Sequence, residues 1–177
     1  GVATEHERFF KVWGVSAADV HVVGDRGTIL HFDGLSWTKA VSPTSERLVT
    51  VVGRGAEDVY AVGGLSSAVL VHYDGHAWSA IESTDLFEGL MGVWTAPNSP
   101  VIVTGFRGLI AVGENKTFRI AELVTDLCLH ATWGDGKGVY LAGGGNLFSS
   151  TGKRDGVILA AGTVAAGPVK EWAAPER

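Results

Sequence analysis

The side chains of this sequence that could do chemistry recur at matched places. Arg26 and Arg107 each sit before a glycine, in Asp25-Arg26-Gly27 and Phe106-Arg107-Gly108, and Glu7-Arg8 is matched by Glu46-Arg47. Arginines gathered on one side of a molecule would hold carboxylate or sulfate groups through forked hydrogen bonds. The plainer alternative makes each triplet a hairpin turn with a soluble side chain, and each Glu-Arg couple a surface pair of little energetic weight. Trp37 and Trp78 each follow an Asp-Gly dipeptide, Asp33-Gly34 and Asp74-Gly75. They open outer strands, where part of each ring should be exposed, and tryptophan is a favoured anchor for sugars and for protein partners.

His31 and His72 also share a step, one residue before an aromatic and two before Asp-Gly. Paired histidines raise the question of a metal ion. Placed in neighbouring sheets, however, they would stand about 10 Å or more apart, the spacing of packed sheets. His72 and His76 flank one turn but offer two ligands without a third. The reading is therefore no metal and no cofactor, with histidines that pack or hydrogen-bond. Catalytic constellations are missing too: there is no G-x-S-x-G, H-E-x-x-H or P-loop, and Cys128 lies in the apolar run LCLHATW, where burial leaves a thiol inert. Asp19 and Asp58 precede strands as turn formers. A glycosidase-type hydrolase using Asp33 or Asp74 ranks third among the functions, and the expectation is that the chain is not an enzyme.

Composition sets the outer limits. Of 177 residues 46% are apolar and 19% charged, which suits one globular core rather than a disordered tail or a fibre. The formal net charge of −5 disfavours nucleic acid as a partner. A single cysteine permits no internal disulfide and no multi-cysteine metal site. No run approaches the length of a membrane-spanning helix, so no membrane insertion is expected. Gly1 stands where an initiator methionine would, as in a processed or excised piece. Glycine makes up 25 residues, about 14%, twice the ordinary share of about 7%, which calls for many turns.

Those turns recur with a period near forty. Trp13, Val52, Trp94 and Trp133 are 39, 42 and 39 residues apart. Seven steps on lie Val20, Val59, Val101 and Tyr140, and eleven steps on lie Gly24, Gly63, Gly105 and Gly144. The first two copies continue as GTILHFDGLSW and AVLVHYDGHAW: a second strand, an Asp-Gly turn and a third strand. In the third copy Phe118 keeps the register of Trp37, and Glu114-Asn115 stands where Asp33-Gly34 stood. The fourth departs: its candidate aromatic, Trp172, is 39 residues past Trp133, so an insertion falls within SSTGKRDGVILAAGTVAAG and the strands after residue 145 have no assigned place. Four short strands per copy, without helical periodicity, predict an all-β fold, a β-propeller of four-stranded antiparallel blades. The blades run approximately over 9–47, 48–89, 90–126 and 127–177, with 1–8 a blade-to-blade linker.

The first copy, VWGVSAADVHVVGDRGTILHFDGLSWTKAV, resembles a bacterial propeller repeat of the form WG-x-S-x-x-DV-x-x-VG-x-x-GTILH-x-DG-x-x-W, distantly similar to tectonin, Asp-box and photosystem-assembly-factor-like propellers. The Asp-box requires one more residue between its Asp and its aromatic than DGLSW or DGHAW provides, so sialidase chemistry is not implied. The resemblance implies a non-catalytic scaffold for protein–protein recognition, in an extracellular, periplasmic or cell-surface setting. A carbohydrate-binding, lectin-like propeller is the alternative. Repeats must stack on neighbours, which leaves three completions: a four-bladed ring closed by the tail around Trp172, a homodimer forming a larger ring, or a fragment of a longer propeller.

Overall fold

The computed structural model describes residues 7–114, 116–123, 125–146 and 155–162, which form four antiparallel sheets in chain order. The first holds β1 (Phe9–Ser16), β2 (Asp19–Gly24), β3 (Ile29–Phe32) and β4 (Trp37–Lys39). The second holds β5 (Leu48–Gly55), β6 (Asp58–Gly63), β7 (Val69–Tyr73) and β8 (Trp78–Ala80). In the third are β9 (Leu90–Trp94), β10 (Val101–Gly105), β11 (Leu109–Glu114) and β12 (Thr117–Leu123). The fourth shows β13 (Cys128–Gly134), β14 (Tyr140–Gly145) and β15 (Gly156–Ala161). Within each sheet the strands follow one another as in a meander, and β1, β5, β9 and β13 lie side by side where neighbouring sheets meet. This is the arrangement of a β-propeller. The third strand of the irregular fourth blade is thus GVILAA, while Trp172 lies outside the described residues.

Burial follows from the stacking. A strand with a sheet on each side has both faces covered and reads as a continuous apolar run, and β6 (DVYAVG) and β10 (VIVTG) are buried almost throughout. Two core clusters result. One packs Val23 and Ile29 of the first blade on Val51, Val59, Val71 and Trp78 of the second; the other packs Tyr60, Val62 and Leu70 of the second on Val93, Val103 and Leu109 of the third. In contrast, β1 is exposed at nearly every position, with Val12 60% accessible.

The recurrent glycines have one cause. A β-carbon on Gly24, Gly63, Gly105 or Gly144 would strike the carbonyl of Arg8, Arg47, Gly89 or Cys128, the residue five before each blade's anchor. Those carbonyls accept backbone hydrogen bonds in the first three blades, from Asp25, Gly64 and Phe106. The anchors themselves pack across blades. Trp13 lies over Gly53, where an added β-carbon would meet its ring at 2.6 Å, and Trp94 lies over Gly134 in the same way at 2.7 Å. Where Val52 replaces the tryptophan, the matching position is Thr95, whose hydroxyl accepts instead from Arg54 Nε at 2.7 Å. Trp133 has a different environment from the other two, with 52% of its surface open.

Overpacking of this kind costs about 1–3 kcal/mol. Gly134→Ala is therefore expected to lower stability by about that amount in urea unfolding. The loss should fall below half when Trp94→Val is already present, because the two positions are in contact and must couple.

Candidate functional site

One rim of the propeller is built by the turns between second and third strands and by the blade-to-blade linkers. Asp25-Arg26-Gly27 and Phe106-Arg107-Gly108 are tight turns with two successive left-handed residues: φ is 55° at Arg26, 67° at Gly27, 53° at Arg107 and 71° at Gly108. This backbone twist matches that of the flanking strands, the reason such turns close hairpins. Both arginines are exposed. The flanking Glu-Arg couples, read from sequence as pairs with themselves, are arranged differently. Arg8 Nε and Arg47 Nε both donate to Asp25, at 2.8 and 2.7 Å, Glu7 accepts from Lys39 Nζ at 3.0 Å, and Arg107 reaches Glu88 at 3.3 Å. Asp25 thus ties two successive linkers to one turn. The hydrogen bonds from Arg8 and then Arg47 hold its carboxyl below the ordinary range, as those from Lys39, with a smaller effect of Arg26, do for Glu7.

Of the two tryptophans expected on outer strands, Trp37 is half-buried, its ring 5.1 Å from Phe32. Trp78 corrects the expectation: it is only 8% accessible, because β8 turns its ring inward against Tyr73 at 5.4 Å and edge-on to His21 of the first blade at 5.7 Å. It is a core residue and offers no open face for a sugar. Asp33 and Asp74 are committed to their turns. Asp33 Oδ1 accepts from the amides of Leu35 and Ser36, and Asp74 Oδ1 from those of His76 and Ala77, which lowers the pKa of both carboxyls. Gly34 and Gly75, at φ of 92° and 90°, supply the positive backbone angle that these turns require. Cys128 is buried, and desolvation pushes its thiol up to about 11.

The opposite rim carries a feature that sequence reasoning did not find. His31 Nε2 and His72 Nε2 each bond an aspartate of their own blade, Asp19 Oδ1 and Asp58 Oδ1, both at 2.8 Å. Asp19 and Asp58, read as turn formers, are therefore histidine partners. In the first blade a second imidazole joins: His21 lies directly across from His31 in the β2–β3 register, the rings stack at 4.6 Å, and His21 Nε2 is 3.5 Å from Asp19 Oδ1. His21 is 1% accessible, and among the described residues neither of its ring nitrogens has a hydrogen-bond partner. Burial, helped by the neighbouring His31, brings its pKa down to about 4. Tyr60 takes its place in the second blade, and there Arg54 Nη1 pairs with Asp58 at 3.0 Å. The corresponding residue of the first blade is Val15. A comparison of His31 with His72 across blades could not reveal this group. The usable signal was the tight turn at Arg26-Gly27, which fixes His21 opposite His31 within one hairpin.

An apolar cleft of about 310 Å³ separates the third and fourth blades, lined by Ile102, Ile110, Leu141 and Leu159 among others. Among the described residues Thr132 and Tyr140 bring polar side chains to it.

No profile of a known protein family matches the chain, and no curated protein matches its sequence. Solved structures do match, at the level of fold. YCF48 bound to D1 peptide superposes with a TM-score of 0.59 and 16% identity, over 82% of this chain and 49% of that one. YCF48 from Cyanidioschyzon merolae gives a TM-score of 0.59 and 20% identity, over 77% of this chain and 50% of that one. The tricorn protease gives a TM-score of 0.59 and 16% identity over 90% of this chain, but only 17% of its own length. The chain has the β-propeller fold. It spans about half the length of the two YCF48 chains it matches.

Asp25 has a pH signature. Its lowered pKa contributes stability that is present above the ordinary carboxylate range and is lost as the pH falls through the folded-state value. Asp25→Asn is expected to flatten the acid limb of a plot of urea midpoint against pH below about pH 4. An unchanged limb would show that the double arginine contact does not bear on stability.

Proposed function

We propose that the chain is a non-catalytic propeller module that recognises a protein segment bearing carboxylates, through the rim that displays Arg26 and Arg107. The observation that carries this reading is the backbone at those two residues. A side chain in the left-handed region costs about 1–2 kcal/mol where glycine or asparagine would cost less. The two arginines nevertheless occupy it at matched positions of the first and third blades, with their side chains exposed. The turn itself requires the positive φ, so it is the choice of arginine at both exposed positions that supports a role in contact. The planar guanidinium suits a carboxylate by forked hydrogen bonding, and two separated contacts on a rigid scaffold add through effective concentration. YCF48, a protein of the same fold, forms a complex with D1 peptide, which supports a peptide as the class of partner. The alternative lectin reading loses one of its two rings with the burial of Trp78 and rests on Trp37 alone.

The test uses an array of synthetic acidic and neutral peptides beside a glycan array. Acidic peptides should bind, with affinity falling steeply as salt rises. Arg26→Glu combined with Arg107→Glu should weaken binding at least ten-fold while leaving the urea midpoint near that of the parent. Peptide binding indifferent to both substitutions, or saturable glycan binding lost in Trp37→Ala, would replace this reading.

A further inference from the structure

We propose that Asp19, His21 and His31 form a binding site for one divalent transition-metal ion, zinc or a chemical neighbour such as cobalt, on the rim opposite the arginines. One ligand atom from each residue lies within 4.8 Å of both others. Around a tetrahedral ion with bonds of about 2.0–2.1 Å, ligand atoms stand roughly 3.3 Å apart. The Asp19 Oδ1 to His21 Nε2 separation of 3.5 Å already fits, and the 2.8 Å contact between Asp19 and His31 needs to open by about half an ångström. His31 can make that adjustment, since 30% of its side chain is accessible. Two imidazoles and one carboxylate suit borderline ions, whereas calcium and magnesium call for more oxygen ligands.

Two observations separate this group from an ordinary aspartate–histidine hydrogen bond. First, His21 is buried with both ring nitrogens unpartnered, an expense of burial that a neutral aromatic would avoid. The second blade makes that simpler choice with Tyr60 at the same register position. Second, the two blades balance their aspartates differently. Asp58 has the Arg54 guanidinium at 3.0 Å, but Val15 stands at the corresponding place beside Asp19. A cation held between Asp19, His21 and His31 would supply both the missing positive charge and the missing partner for the His21 nitrogen. Asp19 and His31 are partly accessible, at 23% and 30% of their side chains, so the ion has a path of entry and an outward side for a further ligand.

The experiment is titration of the metal-free protein with Co²⁺, followed by its visible spectrum, and with Zn²⁺ by calorimetry. One equivalent should bind, with the intense visible bands of a site of low coordination number. Affinity should fall at least ten-fold in His31→Gln, in Asp19→Asn and in His21→Tyr, the last of which installs the residue that the second blade already accommodates. Should His21→Tyr fail to fold, the partly exposed His31→Gln still decides. Replacing His76 and His130, which are exposed elsewhere, should leave binding unchanged. Binding retained in His31→Gln and Asp19→Asn, binding lost with His76 and His130, or no binding by the parent would each overturn the assignment.

Discussion

Everything in this molecule depends on the closure of one blade's apolar face by the next. A single four-stranded sheet with strands as short as β4 and β8, three residues each, has no core of its own. Among the described residues the core lies between sheets, where Val23 and Ile29 meet Val51 and Val71, and where Tyr60 and Val62 meet Val93 and Val103. At two of the three interfaces a tryptophan-on-glycine contact limits how closely the blades approach. Trp13 over Gly53 and Trp94 over Gly134 leave no room for a methyl group.

With the backbone fixed in this way, neighbouring blades can diverge in their polar chemistry without disturbing the scaffold. The second blade surrounds Asp58 with His72, Arg54 and the Tyr60 ring, so that its carboxylate has a cationic partner. The first keeps the aspartate and the histidine of the third strand and exchanges tyrosine for His21 and arginine for Val15. At the other rim, Asp25 gathers Arg8 and Arg47, so two linkers converge on one turn while Arg26 points outward from the same turn. The two rims thus differ in kind, one presenting guanidinium groups and the other imidazoles around a carboxylate.

How much of this was legible in the sequence depends on the range of the interaction. The blades were legible because their determinants are local: valine-rich strands, Asp-Gly turns, and a glycine eleven residues past each anchor that must pass a carbonyl at close range. The register was legible even in the diverged third copy, where Phe118 takes the place of Trp37 and is buried. What could not be read was the direction of side chains set by the neighbouring blade. Trp78 and Trp37 share a position in the repeat, yet Trp78 is buried against the first blade's His21 while Trp37 remains part-exposed. The ion pairs escaped for the same reason: Arg47 is adjacent to Glu46 in the chain but reaches Asp25, 22 residues away. His21 was not legible because its contacts run across a hairpin rather than between equivalent positions of the repeat.

The tryptophan-on-glycine contact is also polar in the sense of an arrow. At both such contacts the ring comes from the earlier blade and the glycine from the later one, so the two interfaces point the same way along the chain. Gly14 on β1 is exposed, and Trp133 on β13 keeps a half-open ring. A ring seated on Gly14, or a glycine seated under Trp133, would continue the series in the direction that these two contacts already follow.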